Sequence, residues 1–171
     1  MKSTNRDRKL LLDSTADPDD RVRALSRVGA DHLVEYEPLV ATLLDHEDSI
    51  LRGKAASVLL GLWQRTKYDE RIVEMLLTDP DWGARHSAAS AISTYLRFPN
   101  EPDDLTNERR TKLLKALVRS ITEDEEQLTQ ANSYRCFIKC VAPDREEPFR
   151  TEFDRERDVD WELVTPYLEG D

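Results

Sequence analysis

Glycine, cysteine and long apolar runs are all scarce in this sequence of 171 residues. It has five glycines, two cysteines and almost no alternation of Val, Ile, Thr and Tyr, which disfavours a fold of many short strands. No apolar stretch approaches the ~20 residues that span a bilayer, and Leu10–Leu12 is too short for the core of a signal peptide. These absences predict a helical, cytoplasmic chain with no membrane segment and no cleaved leader.

The two cysteines do not form a site of their own. Cys136 and Cys140 are four residues apart, which places them on one face of a helix. A disulfide within a single helix constrains little, and a zinc site needs more ligands than the three scattered histidines supply. We therefore expect two free thiols in a reducing compartment, no metal and no cofactor.

Basic charge is in deficit. The chain has 25 Lys and Arg against 35 Asp and Glu, a net charge of −10, and 11 of these acids lie with only four arginines in residues 144–171. A protein that binds nucleic acid normally presents a clustered basic face, so we do not expect nucleic acid as the partner. The acidic surface favours a basic protein partner, although it also serves simply to keep a protein in solution.

Three segments repeat one pattern at intervals of about 30 residues, which is typical of arrays of helical hairpins. The segments are Asp17–Leu25, Asp45–Ala56 and Asp79–Ala89. Each starts with an acidic turn, suited to capping a helix N-terminus, and continues with an apolar residue followed by arginine. These pairs are Val22-Arg23, Leu51-Arg52 and Ala84-Arg85. Apolar residues then return at helical spacing, as at Ala88, Ala91, Ile92 and Tyr95.

Further helical patterns lie between these turns and complete each hairpin, the first starting near Glu37 with Pro38 in its first turn. A fourth, weaker copy runs from Thr122 to Pro143 without the arginine pair. The prediction is an all-α chain: an α-solenoid of about four hairpins over residues 1–143, then an acidic linker and capping helix over residues 144–171 of the same domain. Trp161, Val164 and Leu168 share a face of that last helix, and a helix from about Asn5 to Asp13 caps the other end.

The repeated segments resemble HEAT repeats in the short form found in many bacterial proteins, also known as the PBS-lyase HEAT-like repeat. In that form Asp-Pro-Asp precedes Val-Arg-x-x-Ala, and Asp79-Pro80-Asp81 followed by Ala84-Arg85 and Ala88 is the nearest copy here. The resemblance implies that arginines and turn aspartates of successive repeats form a ladder. Arg23, Arg52 and Arg85 would then pair with Asp17, Asp45 and Asp79 or their neighbours.

Motifs that carry catalysis are missing. The sequence has no Gly-rich phosphate loop, no Gly-x-Ser-x-Gly, no His-Glu-x-x-His and no His or Cys cluster. We therefore expect a non-catalytic protein–protein interaction module, either a scaffold or adaptor, or an inhibitor of a basic partner such as a nuclease. The alternative that the resemblance implies is an enzyme related to the HEAT-like bilin lyases or DNA glycosylases.

Five residues are candidates for partner binding. Trp82, Arg85 and His86 come first because they follow an acidic turn together, and aromatic and arginine side chains are common anchors of interfaces. Tyr95 and Arg52 come next. The competing interpretations are that the arginines serve the ladder and that Trp82 packs between hairpins. Trp63 is predicted to be in the core, and the segment Arg97–Asp104, with its two prolines, is predicted to project as a loop.

Overall fold

Regular structure in this protein is entirely helical over the residues that the computed structural model describes, which are 2–101, 105–148 and 150–168. The all-α prediction is confirmed at this level. The helices are α1 Lys2–Leu12, α2 Pro18–Ala30, α3 Glu37–Thr42, α4 Ser49–Ala56, α5 Asp69–Thr78, α6 Trp82–Arg97, α7 Asn107–Glu123, α8 Gln127–Val141, α9 Arg155–Asp158 and α10 Trp161–Val164.

Acidic residues cap the starts of α2, α4, α6 and α8. The carboxylates of Asp17, Asp48, Asp81 and Glu126 accept hydrogen bonds from the first free backbone N–H groups of α2, α4, α6 and α8. At α6, for example, Asp81 Oδ1 accepts from the Gly83 and Ala84 amides at 2.9 and 3.2 Å. These caps satisfy donors that have no partner inside the helix, so the acidic turns fix where the helices begin.

The capped helices pack on one another in chain order: α2 against α4, α4 against α6, and α6 against α8. Helix α5 packs against α6 and α7, and α7 packs against α8. Their shared core is made of fully buried aliphatic and aromatic side chains, among them Leu25, Leu51, Leu59, Ile72, Ile92, Leu117 and Phe137. Most apolar positions at helical spacing in the sequence lie in this core, but Leu62, which the same spacing predicts to be buried, is exposed.

Helix α4 continues as a π-helical segment over Ser57–Leu62. The wider turns are visible in the hydrogen bond from the Trp63 amide to the Val58 carbonyl, at 2.9 Å. Trp63 itself is buried, as predicted, and its indole N–H donates to the Gly29 carbonyl of α2 at 3.2 Å. Two residues after the segment, Gln64 adopts the left-handed backbone region, with φ 56°.

The N-terminal helix packs on α2 through Leu11, which is buried, whereas Leu12 is exposed. Its buried Asp7 accepts a 2.6 Å hydrogen bond from Arg27 of α2. A helix on this end of the chain is therefore present as predicted, but only part of its leucine run faces the core.

The C-terminal segment packs on α8 through residues other than those predicted. Phe153 lies against Tyr134, with ring centroids 5.8 Å apart, and Tyr167 lies edge-on to Phe137 at 5.3 Å. Val164 is buried as expected, but Trp161 and Leu168 are exposed. The predicted three-residue face is wrong at both ends. Leu168 leaves it because the helix stops at Val164 and a 3-10 turn over Thr165–Tyr167 redirects the chain, and Trp161, at the helix start, is exposed as well. Residues 169–171 lie outside the described ranges.

Helix α6 ends at Arg97, and the loop predicted after it begins there. The Gln64 side chain holds the start of this loop, donating to the Phe98 carbonyl at 2.6 Å and accepting from the Asn100 amide at 2.5 Å. Residues 102–104 of the predicted loop lie outside the described part of the chain. Across the part that is described, no helix has the length and apolar character to cross a membrane.

Candidate protein-binding edge

Arg52 and Arg85 each join two successive turns. Arg52 donates from Nε and Nη2 to the two carboxylate oxygens of Asp79 at 2.8 and 2.7 Å. Arg85 does the same with Asp124, at 2.7 and 2.9 Å. Each also donates from Nη1 to a carbonyl of its own turn, His46 for Arg52 and Asp79 for Arg85, both at 2.8 Å. Two of the predicted binding residues are therefore occupied in holding the molecule together.

The ladder differs from the expected one in register. Arg23 is exposed and bonds only Asp20, one turn earlier on its own helix. Its expected place is taken by Arg21, which is buried and approaches His46 Nε2 at 3.1 Å. The reason is the cap: Arg21 lies four residues after Asp17, as Arg52 and Arg85 do after their own caps.

For Arg52 and Arg85, the carboxylate partner also lies in a different turn from the one expected. Arg52 and Arg85 reach the carboxylate of the following turn and only a carbonyl of their own. At the fourth position Gln130 replaces arginine and donates to the Asp124 carbonyl of its own turn. The ladder therefore ends at α8.

Protonation states in the ladder favour charged pairs. Burial would raise the pKa of Asp79, but hydrogen bonds from Arg52 and from the Asp81 amide outweigh it, so the pKa lies below its ordinary value. The pKa of Arg85 is raised by its hydrogen bonds to Asp124. These groups stay ionised at neutral pH and act as fixed structural pairs.

Tyr95 is not at the surface, so its selection as a binding residue is wrong. Its side chain is completely buried. It continues the helical spacing of Ala88, Ala91 and Ile92, which all face the core, and a residue in that register cannot be exposed.

Trp82 remains as an exposed candidate, with 46% of its surface accessible. It is the first residue of α6, directly after the Asp81 cap, so its side chain projects from the end of the helix. Its ring meets His86 edge to face, with centroids 6.3 Å apart and planes at 85°. Burial, and then the nearby Arg135 charge, lower the pKa of His86. His86 is therefore neutral at pH 7 and supports the indole as an aromatic neighbour.

Sequence reasoning missed Ile50, which is 62% exposed. It lies in the first turn of α4, two residues after the Asp48 cap, just as Gly83 follows Asp81 in α6. Ile50 and Val22 border a groove of about 340 Å³ that reaches Gly83, next to Trp82. The position after the cap was the signal that could have identified it.

Acidic turns surround these two apolar side chains. We define the acidic edge as residues 13–20, 45–50, 79–82 and 123–127. These ranges hold thirteen Asp and Glu and no Lys or Arg. The ladder places the turns side by side, because each rung joins one turn to the next. Trp82 and Ile50 therefore lie along one strongly acidic side of the molecule.

Other chemistry has little support at this edge. Among residues 2–101, 105–148 and 150–168, no group of three His, Cys, Asp or Glu side chains could hold a metal ion. Both cysteines are free and buried, and burial raises the pKa of Cys136 to about 11, which keeps its thiol protonated and unreactive. Comparison with known proteins found no protein-family model, curated protein or solved structure that matches the chain.

Proposed function

We propose that this protein is a non-catalytic protein-binding module built as a HEAT-like α-solenoid, and that the acidic edge is its interaction surface. The solenoid proposal is supported by the repeated unit of carboxylate cap, arginine four residues later and aspartate in the next turn. Its capped helices pack in chain order, as stacked repeats do.

The observation that carries the binding proposal is the exposure of Trp82 among acidic turns. An indole that is half exposed and fixed by a neighbouring ring loses little conformational entropy when a partner covers it. Large aromatic side chains with a polar surround are the usual anchors of protein interfaces. Ile50 extends the apolar surface along the same edge.

The charge of the edge defines the partner. Five of the thirteen carboxylates pair with arginines, namely Asp20, Asp45, Asp79, Glu123 and Asp124. The other eight attract a basic protein and accelerate its association. Several of them cap helices, so the exposed remainder, such as Glu47 and Glu125, supplies the field. The proposal covers an adaptor as well as an inhibitor that blocks a basic partner, within a reducing compartment such as the cytoplasm.

Two exposed aromatic residues at opposite ends of α6 provide the test. Trp82→Ala removes the proposed anchor, and Phe98→Ala removes a side chain that is 60% exposed at the other end. Immobilised protein is used to capture partners from native lysate, and bound proteins are quantified by mass spectrometry. We expect a stoichiometric basic protein that the Phe98→Ala variant retains and the Trp82→Ala variant loses. Equal recovery by both variants, or capture of a bilin pigment alone, contradicts the proposal.

A further inference from the structure

One partly exposed face of α6, between α4 and α8, is a floor of small residues. Gly83, Ser87, Ser90 and Thr94 are spaced four, three and four residues apart, which places them on one face of the helix. We call these four residues the α6 floor. The three hydroxyls donate to the backbone carbonyls four residues earlier, at 2.8, 3.1 and 2.8 Å. These short side chains lie close to the helix, so the surface of α6 is recessed between α4 and α8.

Cations without carboxylate partners border this floor. Within the described part of the chain, Lys54 of α4 and Arg135 and Lys139 of α8 take part in no ion pair, and Arg97 contacts only the Phe98 ring, at 4.7 Å. Most arginines elsewhere in the molecule do face a carboxylate, as Arg52, Arg71, Arg85 and Arg145 do. Among the residues that the structure describes, no carboxylate forms an ion pair with these four cations.

Packing contacts place these cations on both sides of the floor. On one side, the Gly53 backbone, adjacent to Lys54, approaches Ser87 so closely that a Cβ at residue 53 would lie 2.7 Å from the serine side chain. On the other side, the side-chain amide of Asn132 donates from Nδ2 to Ser90 Oγ at 3.2 Å. Arg135 follows Asn132 by three residues, which keeps it on the same side of α8.

A contact near the ends of α6 and α8 brings the neighbours of Arg97 and Lys139 together. The Cys140 thiol, adjacent to Lys139, donates to Ser93 Oγ of α6 at 3.6 Å. Arg97 follows Ser93 by four residues, on the same face of α6. The cationic border therefore continues to the end of α6.

A groove with an apolar wall adjoins the cationic border. Its volume is about 340 Å³, and Val22, Ile50 and Lys54 line it together with Gly83 and Ser87 of the floor. A ligand that lies along the floor meets ammonium and guanidinium groups on its flanks and aliphatic surface at this end.

We propose that the α6 floor binds an acidic, extended peptide segment of a partner protein. Its carboxylates would pair with Lys54, Arg135 and Lys139, and its apolar side chains would enter the groove beside Ile50. The small residues of the floor let a peptide backbone approach closely. This surface shares Ile50 and its groove with the acidic edge, but its charge comes from Lys54, Arg135 and Lys139, so the inference does not rest on the proposed function.

A peptide fits the surroundings better than a nucleic acid does. Asp81 lines the same groove and the acidic edge begins beside it. A nucleic acid carries a charge on every nucleotide, and its phosphates would meet these carboxylates and a molecule with a net charge of −10. A peptide that alternates acidic and apolar residues carries fewer charges and directs them to one side.

The test measures binding of a fluorescein-labelled (Glu-Leu)₄ peptide by fluorescence anisotropy. A (Gln-Leu)₄ peptide and a labelled oligo-dT strand serve as comparison ligands, at about 50 mM salt to limit screening. We expect a Kd on the order of 10–100 µM for the acidic peptide and at least about 10-fold weaker binding for both comparison ligands.

Two double variants with the same change in net charge locate the site. R135Q/K139Q is expected to weaken binding of the acidic peptide at least about 10-fold, with K54Q as an independent single variant in the same direction. R8Q/K9Q, on the exposed side of α1, is expected to change the Kd by less than about 2-fold. Circular dichroism and thermal unfolding establish that all variants fold equally.

Three results overturn the proposal. One is an equal loss of affinity in R8Q/K9Q, which indicates attraction by general charge. The second is tighter binding of oligo-dT than of the acidic peptide, which indicates a nucleic-acid surface. The third is no binding of the acidic peptide at about 1 mM, the weak end of specific affinities. We expect the Trp82→Ala variant to retain peptide binding, which separates this test from that of the acidic edge.

Discussion

Arg85 and Arg119 both face a carboxylate, but only the Arg85 pair is mostly buried. The side chains of Arg85 and Asp124 are 14% and 6% exposed, whereas those of Arg119 and Glu123 are more than half exposed. An exposed pair is screened by water and contributes little. Removing one partner of a buried pair leaves a charge that has lost both water and its counter-ion.

We therefore predict that Arg85→Met lowers the free energy of unfolding by about 3 kcal/mol. The matched variant Arg119→Met, on the surface of α7, should change it by less than about 0.5 kcal/mol. Urea unfolding followed by circular dichroism measures both. Similar values for the two variants would show that the rung has no structural role.

His46 occupies the place in the ladder that Asp79 and Asp124 occupy in the later turns. Its Nδ1 accepts a hydrogen bond from the Asp48 amide at 3.0 Å, while Arg21 approaches its Nε2 at 3.1 Å. A neutral imidazole that accepts at Nδ1 carries its proton on Nε2. The proton then faces a donor of Arg21, so this rung is weak.

His46→Asp should strengthen the first rung by giving Arg21 a carboxylate. We expect the free energy of unfolding to rise by about 1 kcal/mol, since hydrogen bonds to charged groups exceed neutral ones. His32→Asp is the control, because His32 is exposed and its substitution adds the same negative charge outside the ladder. Equal thermal shifts in the two variants would contradict the assignment.

At the scale of helices, the close approach of α4 and α6 depends on Gly53. A Cβ at this position would lie 2.7 Å from Cβ and Oγ of Ser87, closer than side-chain atoms pack. A Cβ at Gly61, on the same helical segment, would meet Ala91 at an ordinary 3.7 Å. Alanine is the better helix former by about 1 kcal/mol, so the two substitutions should have opposite signs.

Gly53→Ala is predicted to destabilise the protein by about 1 kcal/mol, because overpacking exceeds the gain in helix propensity. Gly61→Ala should leave stability unchanged or raise it by up to about 1 kcal/mol. Thermal unfolding of the two variants and of Gly53→Ala/Ser87→Gly gives the sign. The double variant should recover most of the loss, and failure to do so would place the strain elsewhere.

Helix positions were more predictable from sequence than helix register was. Apolar spacing and acidic caps identified the starts of α2, α4, α6 and α8, because these signals are local. The choice of Arg23 over Arg21 failed because the apolar-arginine pair was aligned without reference to the cap at Asp17. The π-helical turns at Ser57–Leu62 have no such local signal, since they depend on how α4 packs against α6.

At the scale of the whole molecule, the candidate site was predictable only where local position decides exposure. Trp82 is exposed because it follows a cap. The two ladder arginines required the neighbouring turns to be in place before their pairing could be seen, whereas the burial of Tyr95 follows from its register with Ala88, Ala91 and Ile92. The uncompensated cations at the α6 floor are also a property of the assembled chain, because a cation is recognised as unpaired only after every nearby carboxylate is placed.

A stack of repeats transmits a perturbation only to its neighbours, and this gives a test of the proposed solenoid. Phe153→Ala removes a buried ring that packs on Tyr134 of α8. We predict that amide hydrogen exchange accelerates in α7 and α8, because removal of a buried phenylalanine side chain lowers stability by about 3 kcal/mol. Exchange in α1 and α2 should be unchanged. Uniform acceleration along the chain would indicate one undivided core, and Trp161→Ala, at an exposed site, is the control.

The unit from Asp79 to the residue before Asp124 has two unlike ends. Asp79, at its start, pairs with Arg52 of α4, and Arg85 within it pairs with Asp124, just beyond its end. A second copy of this unit, inserted in tandem, would form the same ion pair at each of its two ends. The protein could thus be lengthened by inserting whole copies of this unit between α4 and α8. His46 and Gln130 lack the complementary charges, so the series of ion pairs stops at these two residues.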